Sequence, residues 1–202
     1  MRSTVTRSSG VVLALLMVSC APEPRYYVSR MDPAPLRVAV LPPANYTELR
    51  DAPARIAATL AAELGRVPGV QIIEQGAVEQ ALAQEPWLLL DRMPPDLCAT
   101  IGQELSADAL LVGSILGAGY RTVEGERIPH VSLSLRLVRV PEADILWSAV
   151  HNRDGADNEW LFGFGRISDF EQLVGRTIEE IIKTFPVPET LPAPSKTALN
   201  GK

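Results

Sequence analysis

The scarcest side chains able to do nucleophilic or proton chemistry in this 202-residue chain are two cysteines, Cys20 and Cys98, and two histidines, His130 and His151. A nucleophilic cysteine needs a base to form thiolate. Cys98 lies in the apolar stretch Asp96-Leu97-Cys98-Ala99-Thr100-Ile101, and neither histidine stands in a recognisable motif. Cys98 is therefore expected to pack as a small hydrophobe. Gly117-Ala118-Gly119-Tyr120 lacks the third glycine and the Lys-Ser/Thr of a phosphate loop, so it reads as a bulge or turn. Asp154, Asp157 and Glu159 are hard oxygen donors, but without the alternating ligand pattern of a calcium loop they read as a solvated connection. No catalytic residue, cofactor site or metal site is expected, and no enzyme.

Cys20 is different. Arg2 and Arg7 form a basic start, and residues 11–18 (VVLALLMV) form an apolar run too short for the ~20 residues that span a bilayer. That is the length of a signal-peptide core. It ends in Met17-Val18-Ser19-Cys20, which resembles a bacterial lipobox, with Met17 and Val18 where Leu and a smaller residue are commonest. The expectation is cleavage before Cys20 and lipidation of its thiol and new amino group. Two or more acyl chains suffice for stable anchoring. The resemblance also implies sorting to the outer membrane, because Ala21 rather than aspartate follows the cysteine, with the remainder facing the periplasm.

The third candidate is aromatic. Only 5% of residues are aromatic, yet Trp160-Leu161-Phe162-Gly163-Phe164-Gly165 concentrates three of them between glycines. Interface cores favour Trp and Phe, so Trp160, Phe162 and Phe164 are candidate interaction residues, with a plug beneath the last helix as the alternative. Trp87, in Trp87-Leu88-Leu89-Leu90, is a weaker candidate of the same kind.

The elements that must position these residues follow from periodicity. Residues 1–19 are the signal peptide, and residues 20–35, rich in proline, a lipidated tether. Residues 36–185 form one α/β domain, and residues 186–202 a Pro-rich tail. Within the domain, residues 36–41 (LRVAVL) and 70–73 read as short strands. Residues 51–64 are helical, with Ile56, Leu60 and Leu64 on one stripe and Pro53 in the first turn. Further helices cover residues 76–84 and the stretch from Pro94-Pro95-Asp96, with Leu97, Ile101 and Leu105 inward. Residues 109–116 (ALLVGSIL) are apolar enough for a strand covered on both faces. Residues 128–140 alternate Val131, Leu133, Leu135 and Leu137 with Ser132, Ser134 and Arg136, and pair with residues 145–150 in a hairpin. Residues 167–185 close the domain as an amphipathic helix. The order β-α-β-α-α-β-β-β-α predicts a mixed β-sheet of the α/β (α+β) class, with helices mainly on one face.

Composition excludes some classes of function. With 47% hydrophobic residues the chain is not an intrinsically disordered one, and two cysteines cannot make a disulfide scaffold. The formal charge of −5 falls to −7 once Arg2 and Arg7 leave with the signal peptide, so no nucleic-acid partner is expected. No small-molecule substrate is expected either.

Four segments in order carry a family resemblance. Residues 37–45 (RVAVLPPAN), 70–75 (VQIIEQ), 101–114 (IGQELSADALLVGS) and 131–147 resemble the opening strand, second strand, helix-to-strand segment and strand pair of the curli-secretion-channel family. That family shares its fold with an activator lipoprotein of a penicillin-binding protein and with the amino-terminal domain of the Tol–Pal propeller protein. Leu41-Pro42-Pro43-Ala44-Asn45 is also similar to a neisserial-type surface-lipoprotein family. These resemblances imply an outer-membrane lipoprotein whose periplasmic domain is a protein-interaction module in envelope assembly or secretion, its partners other envelope proteins or copies of itself. A homo-oligomeric export channel and a regulator of a peptidoglycan synthase are the alternatives. The channel's barrel hairpins are not expected here, because residues 117–127 are too few for two strands of ~9–11 residues.

Overall fold

The computed structural model describes residues 22–30, 35–83, 92–159 and 164–188. In chain order these form β1 (Arg25–Val28), β2 (Leu36–Val40), β3 (Ala44–Asn45), α1 (Ala52–Leu64), β4 (Val70–Ile72), α2 (Gln75–Leu82), α3 (Pro95–Leu105), β5 (Ala109–Val123), β6 (Glu126–Arg139), β7 (Ile145–Asp154) and α4 (Phe170–Ile182). The strands make one mixed sheet in the order β1-β7-β6-β5-β2-β4, with β3 also paired to β5. β2 is parallel to β4 and β5, while β5, β6, β7 and β1 are antiparallel in succession. The sheet is mixed, as expected.

Alternation along β2 and β5 distributes the helices. Val38, Val40, Leu111 and Ile115 face α1 and α4, joined there by Leu133, Leu135, Leu137 and Trp147 from β6 and β7. Ala39, Leu41, Leu110 and Val112 face the other way, into a smaller core with Val78, Leu82, Leu97, Cys98 and Ile101 of α2 and α3. The helices thus lie two and two rather than mainly on one face. The uninterrupted apolar run at the start of β5 is the reason: both of its faces need cover. On the α2–α3 side the cover stops at β5 and Val138, so Ser132, Ser134, Ser148 and Val150 lie on a part of the sheet that these helices do not reach.

Helix ends are capped locally. The Asp169 carboxylate accepts the Gln172 amide at 2.7 Å, and Glu74 accepts that of Ala77 at 3.0 Å, each satisfying a donor that the first turn cannot. Pro53 and Pro95 occupy first-turn positions, where a missing N–H costs nothing.

Two further sequence expectations change. Within the segment read as a tether, Arg25–Val28 is a strand paired with β7 from Arg25↔Val150 to Val28↔Trp147. It is exposed along its whole length, so it carries no alternation to reveal it. Residues 117–127, read as a connection, instead carry β5 and β6 outward as a two-stranded finger. Its turn is Glu124-Gly125, both with positive φ (51° and 86°), the geometry of a two-residue hairpin turn. The register shifts between Ile115 and Gly117, a bulge at Leu116 just before the glycines, while Gly119 stays paired with His130. The finger beyond that bulge spans residues 117–123 and 126–132, short of the ~9–11 residues of a membrane-spanning strand. Among the described residues no helix is long and apolar enough to cross a membrane.

Candidate functional site

β7 runs towards the finger, and its inward-facing residues change character on the way. Trp147 and Ala149 are apolar and buried; His151 and Arg153, the next two on the same face, are buried as well. Arg153 is 1% exposed, and a guanidinium at that depth must be paired. Its Nη1 donates to Glu180 Oε2 of α4 at 2.6 Å, and its Nε to Asp157 Oδ2 at 3.0 Å. His151 Nε2 lies 2.9 Å from Glu180 Oε2, and Arg176 Nε donates to Oε1 at 3.2 Å. Burial alone would raise the Glu180 pKa. The hydrogen bonds from His151 and Arg153 and the Arg153 charge outweigh it and hold the carboxyl below its ordinary range.

This network fastens the base of the loop that follows β7. Asp157 Oδ2 also accepts the Asp154 amide at 2.8 Å. The Ile167 amide donates to the Gly155 carbonyl, and the Gly155 amide to that of Pro129 on β6, both at 2.8 Å. Residues 155 and 167 are thereby held together against the sheet. Glycine is required at the pinch: a Cβ on Gly155 would stand 2.1 Å from the Ile167 carbonyl oxygen and 2.9 Å from the Pro129 ring. Arg166 pairs with Glu126 at the finger's turn and with Glu159 at 3.6 Å, tying loop to finger. Arg121 on β5 reaches across β6 to Asp154 Oδ2 at 2.6 Å. Burial pushes the Asp154 carboxyl above its ordinary range and Asp157 adds to this, while Arg121 and His130 oppose it. Tyr120 packs beside Phe170 of α4 with ring centroids 6.2 Å apart, and the Arg127 guanidinium lies 4.6 Å over its ring.

The finger and the pinned loop form one pole of the domain, and Phe164 lies in that loop. Phe164 is 63% exposed and directly precedes Gly165, whose φ of +87° lets the chain turn against Asn158. Trp160 and Phe162 belong to the same loop but, like Trp87 and the lipidation candidate Cys20, lie outside the described residues. Asp154, Asp157 and Glu159 are engaged by Arg121, Arg153 and Arg166 rather than solvated. Among the described residues there is no group of three or more His, Cys, Asp or Glu side chains that could hold a metal ion. Cys98 is fully buried in the smaller core, its Sγ 3.5 Å from the Arg139 carbonyl, and burial pushes its thiol pKa up, away from thiolate. The network around Arg153 is what sequence reasoning missed. Its signal was available in the alternation of Trp147, Ala149, His151 and Arg153 on one face of a strand.

The architecture is a mixed-sheet α/β domain whose fold recurs among solved bacterial proteins. The sequence matches no protein-family model and no curated protein. Among solved structures, a point variant of the PelC dodecamer from Paraburkholderia phytofirmans is 24% identical, with a TM-score of 0.52, covering 80% of this chain and 96% of that one. Lipoprotein GNA1162 from Neisseria meningitidis is 20% identical, with a TM-score of 0.54, covering 74% and 99%. The likeness is one of fold, and it agrees with the lipoprotein resemblance seen in the sequence segments.

Proposed function

We propose that this chain is an outer-membrane lipoprotein, anchored through Cys20, whose periplasmic domain docks other envelope proteins in assembly or secretion. The observation that carries the reading is the pinned loop. A buried ion-pair network and a glycine pinch fasten the segment at Gly155, Asp157 and Ile167, and Phe164 nearby is 63% exposed. Holding an aromatic anchor in place before binding lowers the ordering cost of association. The test is photo-crosslinking in cells from a benzoylphenylalanine replacing Phe164. A discrete adduct with one envelope protein supports the reading, and adducts only with bulk periplasmic proteins overturn it.

A second reading has a copy of this chain as the partner. It is favoured by the likeness to PelC, which was solved as a dodecamer. A ladder of self-adducts from the same position would select it.

A further inference from the structure

The segment expected to give the domain reach from the membrane contains β1, which has a consequence for how the domain sits. Pro22 is the first described residue, and β1 begins at Arg25. At most ~3.6 Å per residue separates chain positions, so the Cys20 Cα lies within ~7 Å of that of Pro22. Residues 22–24 run beside the end of α4: Pro22, Glu23, Pro24 and Tyr26 line a groove of about 400 Å³ with Glu180, Lys183 and Thr184. A lipid on Cys20 therefore brings this edge of the sheet to the headgroup layer, with no slack to hold it away.

The chemistry of the edge suits that position. β1 is the outermost strand, paired on one side only. Tyr26, Tyr27 and Val28 are 61%, 56% and 41% exposed, a concentration of apolar surface on four residues. The two tyrosines are neighbours in a strand, so they point to opposite faces and straddle its free edge. Tyrosine, with an apolar ring and a polar tip, is the side chain of choice at headgroup depth. Residues 22–30 carry Arg25 and Arg30 against Glu23 alone, a net positive strip on an acidic protein. Basic residues beside a membrane are attracted to anionic headgroups.

We infer that β1 with residues 22–24 is a membrane-contact edge: it lies on anionic phospholipid headgroups and holds the domain edge-on to the bilayer. The inference rests on lipidation of Cys20 as proposed above. The test uses the mature full-length lipoprotein reconstituted in phosphatidylglycerol-containing vesicles. One sample carries an environment-sensitive fluorophore at Tyr27→Cys, and another at Gln71→Cys on β4, the opposite edge. Headgroup-quencher lipids should quench the label at 27 several-fold more than that at 71. Arg25→Gln with Arg30→Gln should reduce this difference in phosphatidylglycerol vesicles and leave it unchanged in phosphatidylcholine. Circular dichroism confirms that each variant is folded.

Equal quenching at 27 and 71 in a vesicle-bound protein overturns the contact edge and leaves the lipoprotein reading intact. Crosslinking of position 27 to a second copy, with no lipid quenching, overturns it in favour of a protein interface. Should Cys20→Ser leave membrane partition unchanged in cells, the lipid anchor itself is refuted, and the contact edge with it.

Discussion

One strand and one helix meet along a single interface, and its two ends are held by different physics. At the start of β7, Trp147 is fully buried and packs edge-to-face on Phe185 at 5.2 Å, its Nε1 donating to the Thr184 carbonyl at 3.2 Å. Four and six residues further on, the same face of β7 meets the same helix through His151, Arg153 and Glu180. The apolar end is indifferent to what lies beyond it, because its attraction is non-directional and scales with area. The polar end is directional, and its last partner, Asp157, belongs to the loop. Volume fills the domain where only stability is required; paired charge is used where a loop must be aimed.

Removing Trp147 is the most severe way to test that division. Trp147→Ala empties the largest side chain of the main core and should cost about 3–5 kcal/mol in urea unfolding, while the loop's contacts survive in whatever fraction stays folded. Arg153→Met keeps volume but strands Glu180 and Asp157. Both carboxylates are about a fifth exposed, and Arg176 still reaches Glu180. The loss is therefore at the low end for a broken buried pair, about 2–3 kcal/mol. If the network is a unit, adding Glu180→Leu to Arg153→Met costs less than the sum of the two single changes. Additive losses would mean that the two side chains are merely adjacent.

Gly155→Ala separates aim from stability. The new Cβ meets a backbone carbonyl at 2.1 Å, so the pinch must open rather than a side chain rotate. The expected cost is about 1–2 kcal/mol, typical of overpacking, with the sheet and both cores intact. Amide exchange should rise at Ile167 and Gly155, and crosslinking from position 164 should fall. Unchanged exchange at those two amides would refute the pinch.

How much of this was legible in sequence follows the same contrast. The cores announced themselves through period: Val131, Leu133, Leu135 and Leu137 alternate, and the stripe of the last helix repeats, because burial on one face leaves that signature. β1 lacked it, since all four of its residues are exposed, and so did the end of the β5 arm of the finger, exposed from Tyr120 to Val123. Cys98 was correctly placed in a core, because an apolar neighbourhood is a local property. The Arg153 network was not foreseen, because its partners Asp157 and Glu180 come from a loop and a helix that only the fold brings together. Phe164 was flagged by composition and is exposed, but nothing in composition could have shown that its loop is pinned.

The smallest effect is the most specific to the polar end, and its sign differs between two neighbouring carboxylates. Glu180 is held below its ordinary pKa in the folded chain. Its stabilisation is therefore complete above the unfolded value of ~4.3 and disappears as pH falls through the folded one. Asp154 is raised by burial, so its charged form costs stability above the folded value, and acidification relieves that cost first. Unfolding midpoints of the wild type and Glu180→Gln, measured from pH 7 down to about 3.5, should differ most at neutral pH and converge at the acid end, because protonation does to the wild type what the substitution has already done. Asp154→Asn should instead remove the early gain and leave the later fall in place. Trp147→Phe, at the apolar end, should shift the whole profile without changing its shape. A change of shape there would mean that the two ends of the interface are coupled after all.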